Sequence, residues 1–363
     1  MKIVILEPYF TGSHKNWAEG YQKHSKHEIK ILSMKGQFWK WRMHGGAVTL
    51  AREFKYQNLK PDLILASDML DLSTFISLTK TEAMSVMYFH ENQLSYPWSP
   101  TDRDKKMKRD HHYSFINYIS ALCADKTLFN SKYHLDIFFK KLHTFLNHFP
   151  DYKELDSIQT IRSKSEVLYL AIDLKQFDDY ETVHYGKPLI LWNHRWEYDK
   201  NPEMFFRCLK YIKDKGYDFS LVVLGENFSN IPNIFEKAKV TFKENILHWG
   251  YVEDLKSYAK WLWKANILPV TSNQDFFGVS VMEAIYCEAF PLLPYRLSFP
   301  ELIPKEFHCD YFYQNDNDLN EKLISLIKSY KNRDSKALKK VALKFDWSYL
   351  APLYDAKMIS IIK

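Results

Sequence analysis

Short apolar runs alternate with amphipathic stretches along most of the chain. Strands that alternate with helices are typical of parallel sheets with helices on both faces. The apolar runs of the first half lie within 2–8, 27–34, 59–68, 83–92 and 125–139. Those of the second half lie within 189–195, 219–227, 244–252, 265–273 and 289–294. The pattern therefore predicts two doubly wound α/β halves.

The alternation breaks near residues 168–188, which suggests a boundary. A chain of 363 residues is also too long for one core of ordinary size. We expect a first Rossmann-like domain over 1–180 and a second over 181–345. We expect the remaining segment, 346–363, to form a helix that packs back on the first domain.

The amino-acid composition indicates the class of protein but does not identify its function. Hydrophobic residues make up 46% and charged residues 26%, which is a globular composition. The net charge of +6 permits a polyanionic partner without requiring one. The four cysteines form no Cys-x-x-Cys clip, and no apolar run is long enough for a signal peptide or a membrane span. We expect a cytoplasmic protein with reduced thiols.

Ligands of such sheets bind at the carboxyl ends of the strands. Gly12 and Ser13 follow the first strand and open a helix over 12–25, with Ser13 as a plausible N-cap. A glycine before a helix N-terminus suits an anion, although an ordinary tight turn has the same sequence. The absence of a Gly-x-Gly-x-x-Gly motif argues against a dinucleotide redox fold.

The second half has cations and small residues at the same kind of position. Arg195 and Lys200 bracket a loop that follows a strand and precedes a helix, so they form either a diphosphate clamp or a solvated charged loop. Asn193 lies in the same loop. Gly225 and Tyr251 follow two further strands, where a nucleotide could lie, although Tyr251 could equally cover a core.

Two carboxylates flank a predicted helix start at 272–287. Asp275 precedes the junction, Gly278 lies at it, and Glu283 lies about a turn and a half inside the helix. Carboxylates accept hydrogen bonds from vicinal hydroxyls of the kind found in sugars and ribose. The free N–H groups at the helix start would point to the same ligand.

A polar cluster follows the fourth strand of the first half. His90 is followed directly by Glu91, Asn92 and Gln93, which suggests hydroxyl recognition. A lone histidine is more often structural.

Two segments of the first half suit a nucleic acid. Aromatic and cationic side chains alternate over Trp39, Lys40, Trp41 and Arg42, and such a pattern fits an unstacked base and its phosphate. An amphipathic surface loop with a buried tryptophan is the alternative. Lys105, Lys106, Lys108 and Arg109 form a basic run that either tracks an RNA backbone or forms a solvated helix face.

Together these motifs resemble the family-four retaining glycosyltransferases of the GT-B fold, over roughly residues 2–350. The carboxylate–seven-residue–Glu spacing, the Phe-Gly step and the Arg-x4-Lys pair carry this resemblance. Longer strings, such as EPYFTGSHKNWAEG and GQFWKWRMHGGA, resemble the tRNA-queuosine mannosyltransferase group within that family. Asp275 stands where the family usually has glutamate, so the sugar must sit deeper or the loop must move in.

The resemblance implies a GT-B architecture with a central cleft. It also implies transfer of mannose from GDP-mannose to the cyclopentenediol of queuosine. The expected acceptor is the queuosine at the anticodon of tRNA-Asp. Asp275 would hold the sugar and Glu283 the ribose, with His90 near the reaction centre. Three sets of residues follow from it. The catalytic set is His90, Asp275, Arg195 and Lys200. The donor set is Gly12, Ser13, Asn193, Gly225, Tyr251, Phe277, Gly278, Val279 and Glu283. The acceptor set is His14, Lys15, Trp39, Lys40, Trp41, Arg42, Glu91, Asn92, Gln93, Lys105, Lys106, Lys108 and Arg109.

The expected reaction is a front-face transfer that needs no metal or other cofactor, because no clustered Asp-x-Asp follows a nucleotide-binding strand. The enzyme is expected to be a monomer. One alternative is a glycosyltransferase with a lipid or polysaccharide acceptor, since basic aromatic surfaces also suit membranes. A non-catalytic module that binds nucleotide sugars or RNA is the other.

Overall fold

The computed structural model describes residues 1–99, 102, 111–184, 186–226, 232–332 and 336–362. The chain divides into two compact units. The first comprises Met1–Asp173 with Phe345–Lys363, and the second comprises Leu174–Lys344.

The first unit is built on a six-stranded parallel sheet in the order β2-β1-β3-β4-β5-β6. Its strands are β1 (Lys2–Phe10), β2 (Glu28–Lys35), β3 (Leu63–Ser67), β4 (Met84–Phe89), β5 (Lys126–Phe129) and β6 (Ser165–Val167). The first five overlap the predicted apolar runs, and β1 and β2 extend one or two residues beyond them. The edge strand β6 was not predicted, because its three residues are half-buried and leave no apolar run.

Helices surround this sheet. They are α1 (Gly12–His24), α2 (Trp39–Tyr56), α3 (Leu72–Thr79), α4 (His112–Cys123), α5 (Lys132–Leu146) and α6 (Ser157–Ser163). Alternate residues of each strand point to opposite faces of the sheet. The core on one face contains Leu6, Ile64, Met87 and Phe129, each fully buried.

The last helix of the first unit, α15 (Trp347–Ile362), packs on α1. The Trp17 indole donates to the Tyr354 hydroxyl at 3.3 Å, and the Tyr21 hydroxyl donates to Asp355 at 3.1 Å. A Cβ on Gly20 would lie 2.1 Å from the Trp347 indole nitrogen, so glycine is required there. These contacts join the end of the chain to its beginning.

The second unit has its own six-stranded parallel sheet, in the order β12-β11-β10-β7-β8-β9. Its strands are β7 (Leu189–Trp192), β8 (Ser220–Val223), β9 (Ile246–Trp249), β10 (Ile267–Pro269), β11 (Phe290–Pro294) and β12 (Phe312–Tyr313). Five again match the predicted runs. The two-residue edge strand β12 was missed because it is too short to show a period.

The helices of the second unit are α7 (Pro202–Asp214), α8 (Ile234–Thr241), α9 (Leu255–Lys264), α10 (Val279–Tyr286), α11 (Phe299–Leu302), α12 (His308–Tyr311), α13 (Asp316–Ser329) and α14 (Lys336–Leu343). A 3-10 helix, Lys175–Tyr180, also groups with this unit rather than with the first. The reason is its contacts: the Phe177 carbonyl accepts from Trp263, and Asp178 accepts from Tyr286.

Strand order identifies where each sheet can bind a ligand. In an open α/β sheet the binding crevice lies where the order reverses, at the carboxyl ends of the strands. In the first unit this point lies between β1 and β3, and in the second it lies between β7 and β10.

Candidate active site

Lys200 and Asp275 meet at the reversal point of the second sheet. The Lys200 ammonium donates to Asp275 Oδ1 at 3.0 Å and to the Gln274 carbonyl at 2.8 Å, and it lies 3.3 Å from Asp199. Burial alone would lower the pKa of Lys200, but the two carboxylates outweigh it and raise that pKa. Lys200 is therefore a buried cation that holds the Asp275 carboxylate in place.

Asp275 has one oxygen fixed and one oxygen unused. Oδ1 accepts from Lys200, whereas Oδ2 is buried and has no hydrogen-bond partner among the described residues. An unsatisfied buried carboxylate oxygen is costly. A ligand hydroxyl that donates to Oδ2 would remove that cost.

Arg195 is the exposed cation of the predicted clamp. Its side chain is 43% exposed, and its guanidinium lies 3.3 Å from Glu197 and 3.9 Å from Asp199. Burial alone would raise the pKa of Asp199, but Lys200 and Arg195 lower it overall. Both cations of the clamp thus lie near the Asp199 carboxylate. Lys200 is buried, and Arg195 is at the surface.

The predicted helix start at Gly278 is confirmed. Gly278 is the N-cap of α10 with φ +95°, and a Cβ there would lie 2.9 Å from the Phe299 ring. Both observations require glycine. The Ser298 hydroxyl donates to the Phe277 carbonyl at 3.0 Å and fixes the turn. The first N–H groups of α10, at Val279 and Ser280, have no intrahelical acceptor, whereas the Val281 N–H donates to the Gly278 carbonyl at 3.1 Å.

A hydrogen-bonded link joins the loop after β7 to α10. Asn193 Nδ2 donates to the Ser280 carbonyl at 2.7 Å, and His194 Nδ1 lies 3.0 Å from the Ser280 hydroxyl. Burial lowers the pKa of His194 to about 4, so the ring is neutral. Its Nε2 is buried without a partner among the described residues. The sequence analysis missed His194, although its place directly after a strand was a usable signal.

Glu283 lies inside α10 and is bound by Tyr258 of α9. The Tyr258 hydroxyl donates to Glu283 Oε2 at 2.7 Å. Burial raises the pKa of Glu283 to about 7, and the bond from Tyr258 limits the rise. Tyr258 was also missed, because it lies on an amphipathic helix where a tyrosine carries no distinct signal.

Gly225 and Tyr251, both predicted to lie near a nucleotide, have different structural roles. Gly225 has φ +112°, and a Cβ there would lie 1.9 Å from the His194 carbonyl. Its glycine is thus needed for the close passage of two backbone segments. Tyr251 follows Gly250 (φ +123°) and is 56% exposed, so its ring is open to a stacking partner.

In the first unit, Glu7 of β1 and His14 of α1 form a buried pair. Glu7 Oε2 lies 2.9 Å from His14 Nδ1, and Oε1 accepts from the Tyr9 N–H at 2.8 Å. Glu7 is fully buried and His14 is 7% exposed. Burial alone would lower the pKa of His14, but Glu7 raises it to about 9. The sequence analysis did not select Glu7.

His90 lies against this pair. Its ring centroid is 4.3 Å from that of His14 and 4.7 Å from that of Trp17. Burial, with the neighbouring histidines, holds the pKa of His90 well below its ordinary value. Both ring nitrogens are buried without a hydrogen-bond partner among the described residues.

The loop after His90 is shaped by its own side chains. Asp68 Oδ1 accepts from the His90 N–H at 2.7 Å. Asn92, fully buried, accepts from the Ser95 N–H at 2.9 Å, and Gln93 donates to Glu91 at 3.0 Å. These bonds hold the loop that presents His90.

The start of α1 differs in one respect from the prediction. The helix begins at Gly12 (φ +50°) with Thr11 as N-cap, and no side chain caps it. The interpretation of Ser13 as N-cap was therefore wrong, because Ser13 already lies inside the first turn. Lys15 is exposed, 3.9 Å from Glu19.

Among the described residues one group of three could hold a metal ion. Ligand atoms of Glu7, His14 and His90 lie within 4.8 Å of one another. An imidazolium cannot ligate a metal ion, since both ring nitrogens carry protons. The charged form of His14 and a metal ion on its ring thus exclude one another.

The aromatic and basic segment of the first unit forms the start of α2. Trp39 packs against Tyr113 with the two rings tilted and their centroids 5.0 Å apart. Lys40 is bound by Asp102 at 2.8 Å and lies 5.6 Å from the Trp98 ring centroid. Trp39 and Lys40 thus make internal contacts rather than face outward together.

Trp41 is the open residue of this segment, with 62% exposure. Its ring lies over Gly45, where a Cβ would come within 2.8 Å of the indole. Arg42 donates from Nε to the Lys35 carbonyl at 3.1 Å. The predicted contacts Lys105, Lys106, Lys108 and Arg109 lie outside the described residues.

None of the helices within the described part of the chain combines the length and apolar character needed to cross a membrane.

Comparisons with known proteins agree on fold and family. Residues 2–172 match the N-terminal domain model of the tRNA-queuosine alpha-mannosyltransferases, and residues 176–342 match the model of group 1 glycosyl transferases. The structure is similar to Anabaena HepE in complex with UDP (TM-score 0.69, 11% identity, 99% of this chain and 100% of that one). It is equally similar to a sucrose-phosphate synthase from Thermosynechococcus elongatus (TM-score 0.71, 11% identity, 99% of each chain). The predicted GT-B fold is confirmed.

The sequence match is more specific than the structural one. A tRNA-queuosine alpha-mannosyltransferase from Drosophila melanogaster is 31% identical over 340 residues, which span 89% of this chain and 86% of the relative. The protein is thus a glycosyltransferase, and it belongs to the tRNA-queuosine alpha-mannosyltransferase family.

Proposed function

We propose that the protein moves mannose from GDP-mannose to the cyclopentenediol of queuosine at the anticodon of tRNA, in the cytoplasm, with retention of configuration and with tRNA-Asp as the expected acceptor. The observation that carries the proposal is the Lys200–Asp275 pair, with its unused carboxylate oxygen, in a chain 31% identical to a tRNA-queuosine alpha-mannosyltransferase.

In the second unit, Asp275 and Glu283 bind the two ends of the donor. Asp275 Oδ2 accepts from a hydroxyl of the hexose, because the other oxygen is held by Lys200. Glu283 accepts from the ribose, and Tyr258 fixes its carboxylate in place. Tyr251 offers an exposed ring beside the base.

The leaving diphosphate is stabilised by positive charge. Arg195 provides the exposed guanidinium, and the first turn of α10 provides bare N–H groups beyond Gly278. Fixed donors of this kind favour the developing negative charge without reorganisation. For this reason we propose that transfer requires no metal ion.

Chemically, the bond between the anomeric carbon and the diphosphate oxygen breaks, and a bond to the acceptor hydroxyl oxygen forms on the same face. The hydroxyl proton passes to an oxygen of the departing diphosphate, which acts as the base. In the first unit, His90 is available to a substrate hydroxyl, because its two ring nitrogens are buried and unpaired among the described residues.

The acceptor binds to the first unit. Trp41 offers an exposed indole at the start of α2, and Arg42 adds positive charge. Aromatic rings beside cations are a common arrangement for unstacked bases.

The test is a transfer assay on the full chain. The enzyme is incubated with GDP-mannose, or with UDP-glucose, and with tRNA that contains or lacks queuosine, followed by nucleoside mass spectrometry. We expect one added hexose on queuosine, from GDP-mannose only. Transfer from the UDP-sugar would change the donor assignment, and hexose found only on an added lipid or polysaccharide would overturn the acceptor.

A further inference from the structure

We propose that a cavity between α4 and α5 of the first unit binds an unstacked nucleotide of the tRNA acceptor, at a subsite separate from Trp41. The cavity is lined by Leu94, His111, His112, Ser114, Phe115, Lys141, Thr144, Phe145, His148 and Phe149. None of these residues belongs to the acceptor set expected from the sequence. The inference rests on the proposed function for the identity of the RNA, because it names a further subsite for the same acceptor.

The cavity has the size and the accessibility that a nucleotide needs. Its volume is about 640 Å³, and sites for small organic ligands typically span about 300–1,000 Å³. Leu94 and Phe145 form its inner wall, because both pack against the core of the first unit. Phe115 and Phe149 are 42% and 39% exposed, so their rings are open to a ligand.

Helical spacing explains why these side chains share one cavity. Residues three and four positions apart lie on the same face of a helix. On α5 and the turn after it, the lining residues recur at such steps, at Lys141, Thr144, Phe145 and His148. At the start of α4 the same spacing holds for His111, Ser114 and Phe115. Two helix faces thus supply most of the lining.

The polar groups of the cavity favour an anion. Three histidines and Lys141 line it, and no carboxylate is among its described lining residues. No side chain caps the start of α4, whose first intrahelical bond runs from the Phe115 N–H to the His111 carbonyl at 3.1 Å. The N–H groups ahead of that bond are of the kind that binds phosphate at a helix start.

His148 adds a directed group beside the aromatic rings. Its Nδ1 donates to the Thr144 carbonyl at 2.7 Å, because a carbonyl oxygen can only accept. Nε2 is therefore the nitrogen that can bind the edge of a base or a phosphate oxygen. Aromatic rings combined with cations and fixed polar groups are the usual means of binding an unstacked base with its phosphate.

A row of aromatic and cationic side chains connects the cavity to the start of α2. The Phe149 ring centroid is 5.3 Å from that of Phe145, which is 6.5 Å from that of His111. His111 in turn lies 6.0 Å from Trp98, and the Lys40 ammonium lies 5.6 Å from the Trp98 ring centroid. A single RNA strand offers successive bases and phosphates to such a row, whereas a lipid headgroup would occupy one position only. This continuity favours RNA as the occupant.

The first test is the affinity for RNA, measured without turnover on a tRNA-Asp transcript that lacks queuosine. Phe149→Ala should raise the Kd about 5- to 150-fold, which is the range for loss of one base–aromatic contact. Its affinity for GDP should not change. The matched control is Tyr152→Ala, which removes an 88% exposed ring outside the cavity and should bind the transcript as wild type does. If thermal unfolding shows that Phe149→Ala is not folded, Phe115→Ala takes its place.

The second test is the salt dependence of the same affinity. Lys141→Ala should reduce the slope of log Kd against the logarithm of the salt concentration by about 0.7, as expected for loss of one contact to a single-stranded phosphate. Lys140→Ala, which removes an exposed lysine that does not line the cavity, should keep the wild-type slope. A lysine that only stabilises α5 would leave the slope unchanged in both variants.

Equal RNA affinities of Phe149→Ala and Tyr152→Ala would overturn the inference, whatever the lysine variants do. RNA binding retained in Phe149→Ala, with loss of binding to phosphatidylglycerol vesicles, would overturn it too and would assign the cavity to a lipid headgroup. These measurements need no transfer, so they decide the inference even if wild type adds no hexose to queuosine, a result that would refute the proposed function alone.

Discussion

Lys200 and Asp275 form an ion pair of 3.0 Å in the second unit, and the pair leaves one carboxylate oxygen without a partner among the described residues. Asp199 lies on the other side of the same ammonium, at 3.3 Å. Lys200 thus fixes one oxygen of Asp275, and the second oxygen stays available to a ligand. The Asp275 carboxylate can therefore accept a hydrogen bond from a ligand, because the fold uses only one of its two oxygens.

Replacement of Asp275 by alanine should abolish transfer and leave the fold intact, because Asp199 still neutralises Lys200. We expect the transfer rate to fall at least about 100-fold, as for loss of a group that binds the reacting sugar. The rate is measured with GDP-mannose and queuosine-containing tRNA. Asp218→Ala, which breaks an exposed pair with Lys187, is the control. Full activity of the Asp275 variant would refute its role.

Replacement of Lys200 by methionine should destabilise the protein, because it leaves Asp199 and part of Asp275 buried without a counter-charge. Loss of one partner of a buried ion pair costs about 3–5 kcal/mol in the free energy of unfolding. Lys187→Met breaks a pair whose side chains are more than half exposed, and should cost about 0–1 kcal/mol. Equal midpoints in urea for the two variants would contradict the structural role of Lys200.

The strands and the loops that follow them could be predicted from the sequence, because buried strands leave apolar runs and ligand loops must follow them. Partners that meet only in the fold could not. Tyr258 reaches Glu283 across 25 positions, between two helices, and no local pattern records that contact. Nothing in the apolar run 2–8 singles out Glu7, because its burial against His14 depends on the turn between β1 and α1.

Neighbouring residues with a similar sequence pattern also differ in their exposure to solvent. Trp39, Lys40 and Trp41 are consecutive, yet Lys40 binds Asp102 and Trp41 lies open to solvent. The direction of each side chain on a helix decides this, and the sequence analysis had no helix start at Trp39 from which to derive those directions.

The pKa of about 7 of Glu283 should make donor binding depend on pH. Only the carboxylate accepts two hydrogen bonds from a ribose, so the KM for the donor should rise as the pH falls through about 7. Tyr258→Phe removes the bond that limits the pKa of Glu283, so this pKa should rise and the loss of affinity should begin at higher pH. Tyr211→Phe, at a partly exposed site on α7, should keep the wild-type profile. A Tyr258→Phe profile that is unchanged or displaced to lower pH would contradict the assignment.

Trp41→Ala should weaken binding of queuosine-containing tRNA, because its exposed indole is the candidate stacking surface of the first unit. Loss of one base–aromatic contact costs about 1–3 kcal/mol, so the Kd should rise about 5- to 150-fold, while the affinity for GDP-mannose stays unchanged. Gly45→Ala should weaken tRNA binding in the same direction without removing the ring, since its new Cβ would displace the indole. Tyr56→Ala, which removes an 87% exposed ring at the other end of α2, should bind tRNA as wild type does. Equal losses in the Trp41 and Tyr56 variants would show that the tRNA senses general surface aromaticity and not a defined platform over Gly45.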